Sequence, residues 1–247
     1  MEESFFNACE LIRENRDTNS GIGTLSEKTL HAILKYYFEP DNTFHEIRYQ
    51  GYVADILHDQ DVIEIQTAGF NKLRRKLDVF LAAGSVRIVY PIAYEKYLEW
   101  IDEETGRITD KRKSPKKGTP YQVFFELYKI KSYLTHPNLS LSIVLMNMEE
   151  QRLLNGWSKD KKRGSSRYER VPTKLVDQID INCVEDYAKL VPESLGETFT
   201  TKTYKEATKL SIGVARTAIH VLNYVGVIRK VGKQGNLIIY ERVKQDS

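Results

Sequence analysis

Two acids stand inside apolar runs of this 247-residue chain: Asp55 in "VADIL" and Glu64 in "VIEIQTA". Strand side chains alternate faces, so Val53, Asp55 and Leu57 share one side, and Val62, Glu64 and Gln66 share one. Paired as a hairpin, the two runs turn Asp55 and Glu64 to the same side. Carboxylates so placed repel each other, and apolar neighbours raise the cost of their charge. A divalent cation between them resolves the conflict, because Mg²⁺ is satisfied by one or two carboxylates with waters and a phosphate oxygen. Such a centre hydrolyses phosphodiesters: the metal polarises the phosphate, activates a bound water and neutralises developing charge. The segment "NKLRRK" follows at once, and its Lys72, Arg74, Arg75 and Lys76 can hold a phosphate backbone. In the plainer reading both acids face solvent on a half-exposed sheet, and the cations of an amphipathic helix sit in water.

The elements that must position these residues are readable on both sides of them. Leu25, Leu30, Ile33, Leu34 and Tyr37 fall near helical spacing, which predicts a helix from Leu25 to Phe38, ended by Pro40. Thr24 and Glu27 fit a capping box at its start. Glu27 can therefore be a third acid for the site or only the N3 residue of that box. Strands are predicted at Phe44–Tyr49, Tyr52–Leu57 and Val62–Thr67, the last two joined by a turn of His58, Asp59, Gln60 and Asp61. A helix from Asn71 to Ala83 stops at Gly84, and Val86–Ile92 reads as a buried strand. Further on, Tyr97–Asp102 and Arg107–Lys111 flank "EETG" as a hairpin. Tyr121–Leu134 reads as a helix and Leu139–Met146 as a strand. Asp110–Pro120 and Ser158–Pro172 are basic stretches with the composition of surface loops. His31, His45 and His58 have no metal-ligand spacing.

At these residues the chain resembles the PD-(D/E)xK nuclease superfamily, which includes restriction enzymes and junction resolvases. The core of that superfamily is a helix with an acid, a hairpin bearing the Asp, a Glu-x-Lys strand and a second helix. "VADIL" matches the Asp strand, "VIEIQTA" the Glu-x-Lys strand and "GTLSEKTLHAIL" the acidic helix, over roughly Gly21 to Pro91. The resemblance implies that Asp55 and Glu64 hold Mg²⁺ or Mn²⁺ and that Glu27 supports them. It departs at Gln66, which stands where the family has Lys. Some nucleases that resemble the family use Gln there. Gln66 can orient water or phosphate but carries no charge, so Lys72 or Lys76 is expected to supply the cation from the helix.

The last third changes character. Val184–Leu190 reads as helical, Thr203 and Glu206 fit a capping box opening a helix at Tyr204–Leu210, and "SIG" makes a turn. Val214–Val225 follows with Ala215, Ala218 and Leu222 on one face. "VIRKVGKQGNLIIYERV" then reads as two strands about a Gly232–Gly235 tip. Helix, turn, helix and two-stranded wing is the layout of a winged helix, and the segment resembles bacterial winged-helix regulators. That layout places the second helix in the major groove of DNA, offering Arg216, Thr217, His220 and Asn223 to base edges. Lys202, Lys205, Lys209, Arg229, Lys230 and Lys233 would hold phosphates. The layout including "SPKKGTPYQVFFELYKIKSYLTHPN" also looks like an uncharacterised family of Gram-positive bacterial proteins.

A net charge of only +3 makes no nucleic-acid case by itself, so the distribution of cations carries it. Cys9 and Cys183 are the only two cysteines and give neither a disulfide framework nor a zinc spacing, which fits a reducing, cytoplasmic setting. The acidic start "MEESFFNACELIREN" is not a secretory signal, and no apolar run reaches the roughly 18 residues of a membrane span. The expected fold class is α/β: a restriction-endonuclease-like mixed sheet flanked by helices over residues 1–178, then a small winged-helix domain over 179–247. The expected function is metal-dependent cleavage of double-stranded or branched DNA, in a chain that can form a homodimer. A DNA-binding regulator with an inactive nuclease-like core is the rival that Gln66 favours. A protein-interaction scaffold is a third reading.

Overall fold

Apolar spacing sets most of the elements. In the computed structural model, which describes residues 1–18, 28–102, 104–154 and 165–243, the order is α1 (Glu2–Thr18), α2 (Lys28–Phe38), β1 (His45–Tyr49), β2 (Tyr52–His58), β3 (Asp61–Ile65), α3 (Arg74–Ala83), β4 (Ser85–Ile101), β5 (Arg112–Lys113), α4 (Phe124–Leu127), β6 (Leu139–Leu153), β7 (Ser166–Ile181), β8 (Thr198–Thr200), α5 (Thr201–Thr208), α6 (Ile212–Tyr224), β9 (Ile228–Gln234) and β10 (Leu237–Arg242). The larger sheet runs β1-β2-β3-β4-β6-β7, with β5 on β4. It is mixed: β2 and β3 are antiparallel, whereas β3 and β4 are parallel. A smaller antiparallel sheet runs β8-β10-β9. The protein is thus mixed α/β, a large mixed sheet with helices.

The chain divides into two compact units. The first holds Met1–His45, Ala93–Gly118 and Val144–Asp177. In it α1 packs on α2, and Phe5 sets its ring edge against Tyr37 at 5.4 Å. Phe5, Ala8 and Cys9 are buried at helical spacing, so α1 was detectable in a stretch read above only for what it is not. The predicted capping box of Thr24 and Glu27 lies outside the described residues. The basic stretch predicted as a loop at Ser158–Pro172 is a strand from Ser166 onward. Glu169 is buried there and takes the Thr29 hydroxyl at 2.6 Å, which a solvated loop would not provide. Within the other basic stretch, Arg112 and Lys113 pair with Leu98 and Tyr97 of β4.

The second unit holds Glu46–Ile92, Thr119–Ile143 and Gln178–Ser247. Gln50 and Gly51, both at positive φ, make the tight turn that the twist of the β1–β2 hairpin favours. α3 buries Leu77, Phe80 and Leu81. It ends at Gly84, where only glycine fits, since a Cβ there would sit 2.1 Å from the Gln60 carbonyl oxygen. The predicted helix at Tyr121–Leu134 is instead two 3₁₀ turns, Pro120–Val123 and Tyr128–Tyr133, around the four residues of α4. The regular helix breaks at Ile130, whose φ of −119° and ψ of 26° are non-helical, although Val123, Leu127, Ile130 and Leu134 are buried at a spacing an α-helix would also give. Glu185–Leu190 is likewise 3₁₀. The capping box of α5 is Thr200 with Thr203, not Thr203 with Glu206. The earlier start places Tyr204 and Thr208 on one buried face, with the Tyr204 hydroxyl donating to Leu190 O at 2.9 Å.

Candidate active site on the β2–β3 hairpin

The hairpin pairs Ile56 with Ile63, Leu57 with Val62 and His58 with Asp61. Continuing that register sets Asp55 opposite Glu64, and there side chains replace the backbone ladder. The Asp55 Oδ2 accepts the Ile65 N–H at 2.7 Å. The Glu64 carboxylate accepts the Asp55 N–H in return. Glu64 is only 3% exposed, in a strand that runs between β2 and β4.

Lys76 completes the cluster from the first turn of α3. Its Nζ lies 2.9 Å from each Glu64 oxygen and donates to Val53 O at 2.7 Å. Leu73 and Leu77 are buried beside it, so the apolar face of the helix carries the lysine stem onto the sheet. Burial, and then the charge of Asp55, push the Glu64 carboxyl up to about 7, against the opposing pull of Lys76.

That shift has a measurable sign. A carboxyl raised in the folded state binds its proton more tightly there than in the unfolded chain. Its contribution is present below the unfolded value and is lost as pH rises through about 7. A rise from 4.5 to about 7 corresponds to roughly 3 kcal/mol. Urea unfolding across that pH range should therefore show the wild type losing stability relative to Glu64→Gln as pH increases. Parallel pH profiles for the two proteins would refute the assignment.

The other predicted residues are distributed around this centre. Gln66 follows β3; its backbone N–H donates to Val89 O at 2.9 Å, and its side-chain Nε2 donates to Ala68 O at 2.5 Å. Of the two candidate lysines it is Lys76 that meets Glu64, while Lys72 is exposed in the 3₁₀ turn Phe70–Leu73. Arg75 is exposed. Arg74 donates through two guanidinium nitrogens to Lys129 O, one of them at 2.8 Å, so it braces the fold as well as facing water. Glu27 lies outside the described residues.

Glu126 was missed, although "FFEL" places an acid in an apolar run just as "VADIL" does. It is 5% exposed, accepts the Phe70 N–H at 2.8 Å and pairs with Lys129 Nζ at 2.6 Å. It thereby fixes the turn that leads into α3 and Lys76. Glu126→Ala leaves a buried N–H without that acceptor and should cost about 2 kcal/mol, read from the urea midpoint.

A second cluster of predicted residues lies on α5, α6 and the β9–β10 hairpin. Lys202, Arg216, His220, Asn223 and Lys230 line one concavity of about 510 Å³. Lys205, Lys209 and Lys233 are exposed. Arg229 is paired with Glu241 across the strands at 2.5 Å. Thr217 bonds back to Gly213 O at 3.2 Å, so its hydroxyl is engaged within the helix. His220 meets Lys131 Nζ at 3.0 Å and sets its ring edge toward Tyr128.

With this geometry in hand, comparison with known proteins places the chain. A family profile described as "Domain of unknown function (DUF8091)" matches residues 28–182. The chain belongs to the DUF8091 family. The matched span contains both acid strands, Lys76 and Glu126, and ends before α5 and α6. An uncharacterized protein of Treponema pallidum (strain Nichols) is 32% identical over 169 residues, which is 67% of this chain and 64% of that protein. The chain thus spans less than two thirds of the length of the relative it matches. No solved structure matches it. Among the described residues, no helix of this DUF8091 member is long and apolar enough to cross a membrane.

Proposed function

We propose that this DUF8091 protein is a metal-dependent DNA endonuclease with a restriction-endonuclease-like core of the PD-(D/E)xK type. In this reading residues 179–247 form a winged helix that targets it to double-stranded or branched DNA. The observation that carries the proposal is the Asp55–Glu64–Lys76 cluster: two carboxylates facing each other across a hairpin, with an ammonium on the buried one. A buried Glu64 beside a half-buried Asp55 costs desolvation and repulsion, which is the arrangement that functional sites use to tune carboxylates.

The donor set fits Mg²⁺ or Mn²⁺. Asp55 and Glu64 offer hard carboxylate oxygens, and the repulsion that raises Glu64 is what a divalent ion relieves. When bound, the ion supplies a polarised phosphate and a more acidic water. Lys76 brings the positive charge that Gln66 lacks, from the helix instead of the strand. Its ammonium can leave one Glu64 oxygen for a phosphate oxygen while Val53 O holds its other donor. Gln66 would orient water or phosphate, Glu27 would assist, and Lys72, Arg74 and Arg75 would steady the backbone of the DNA. On α6, Arg216 and Asn223 are exposed beside cations, as base readers flanked by phosphate contacts would be.

One observation favours a second reading, an inactive nuclease-like core in a DNA-binding regulator. Lys76 occupies both Glu64 oxygens, the atoms a metal would need. Plasmid and branched-DNA substrates, incubated with Mg²⁺, Mn²⁺ or EDTA beside gel-shift lanes, separate the two. Cleavage that requires the divalent ion supports the nuclease. Shifted DNA with no product under either metal establishes the regulator.

A further inference from the structure

The first unit contains a cavity that the hairpin chemistry does not use. Its volume is about 660 Å³, a size suited to one small ligand. Among the described residues, every charged side chain lining it is a cation: Lys96, Arg112, Lys116 and Arg152. The surface around it is balanced differently. Lys111 pairs with Glu149 at 2.8 Å, and Lys113 pairs with Glu95 at 2.8 Å.

Beneath the lining lies Glu150, 1% exposed. It holds Lys96 at 3.1 Å and Arg152 at 2.8 Å, with Arg167 at 3.7 Å. One carboxylate among three cations fixes their positions and leaves positive charge in excess. Burial pushes the Glu150 carboxyl up, but Lys96, Arg152 and Arg167 outweigh it and hold the group below its usual range. The backbone at Lys116 is set by a turn that presents its exposed ammonium: the Ser114 N–H donates to Lys96 O at 2.8 Å, and the Lys116 N–H to Ser114 Oγ at 3.3 Å. The remaining feature is aromatic. Trp100 lines the cavity, with the Arg112 guanidinium 5.7 Å from its ring centre.

Fixed guanidinium and ammonium groups in a concavity are recognition elements for phosphate, and an indole–guanidinium pair is one for a planar base. We propose that this cavity binds a nucleoside triphosphate, with the base against Trp100 and Arg112 and the phosphates among Lys96, Lys116 and Arg152. The proposal is independent of the hairpin: it stands or falls whether or not the chain cuts DNA. A nucleic-acid strand would meet the same chemistry, but a cavity of about 660 Å³ matches the size of a single nucleotide.

Calorimetric titration of the full chain with ATP, inorganic triphosphate, adenosine and a short oligothymidylate tests it. ATP should bind one-to-one and more tightly than either of its halves. Trp100→Leu and Lys116→Ala should each weaken it by about tenfold, in proteins that melt like the wild type. Lys116 is exposed, so its variant carries the test if the Trp100 variant does not fold. The absence of saturable ATP binding overturns the proposal. So does triphosphate binding as tightly as ATP, the oligonucleotide binding more tightly than ATP, or ATP affinity unchanged by both substitutions.

Discussion

If the chain is the proposed nuclease, Asp55→Asn should lower divalent-dependent DNA cleavage by on the order of a thousandfold and leave the fold intact. Amide for carboxylate is the informative change here. The Asp55 Oδ2 accepts the Ile65 N–H, and an asparagine oxygen can still do so. Alanine would leave that N–H without its partner, at a cost of about 1–3 kcal/mol, and would confound chemistry with stability. What Asn removes is charge. In the proposed centre one of the two carboxylates that would hold the metal is gone, and with it several kcal/mol of charge stabilisation, at roughly 1.4 kcal/mol per tenfold in rate. The charge that raises Glu64 also disappears. The thermal midpoint near neutral pH should therefore hold or rise while cleavage collapses. Single-turnover nicking of a plasmid, with circular dichroism melts on the same samples, reads both. Wild-type cleavage by a folded Asp55→Asn protein rules the residue out of the chemistry.

Lys76→Met is the second large effect, and its direction separates the two functional readings. Lys76 supplies the only ammonium placed on Glu64 among the described residues. If that ammonium stabilises a reacting phosphate, its loss lowers cleavage by on the order of a hundredfold, as removal of a preorganised donor does elsewhere. The Glu64 carboxyl, no longer pulled down by Lys76, moves further up. If Lys76 is instead a lock that keeps metal out, the methionine variant binds Mg²⁺ more tightly than the wild type and gains cleavage. The cleavage rate and the metal affinity of this one variant, measured together, distinguish a participant from a plug.

The hairpin was legible because alternation and an intruding acid leave a clear trace in strands of seven and five residues. Its partner lysine was only half legible. "NKLRRK" offers four cations in six residues, and local pattern does not say which reaches the sheet. The answer depends on where Leu73 and Leu77 dock, which is tertiary information. Glu126 was hidden for the same reason, since its acceptor role is to a backbone group 56 residues away. The misread helix at Tyr121–Leu134 shows the opposite failure. The apolar spacing of Val123, Leu127, Ile130 and Leu134 fits an α-helix, and the non-helical backbone at Ile130 leaves no trace in that pattern. The cap of α5 was misplaced by one turn because Thr203 serves at N3 as readily as at the N-cap. Strand β7 was partly lost under a basic composition that describes solvent exposure in most chains, but here surrounds the buried Glu169.

In the proposed function a divalent ion sits on Asp55 and Glu64. Calorimetric titration of Mg²⁺ into the wild type and Asp55→Asn, at about pH 6.5 in two buffers of different ionisation enthalpy, tests it most directly. One saturable site in the wild type is expected, with proton release from Glu64, whose carboxyl stands near 7 before metal binds. The site should be lost in Asp55→Asn. A wild type with no saturable site, or an Asp55→Asn variant that binds as tightly, contradicts a metal centre on the hairpin.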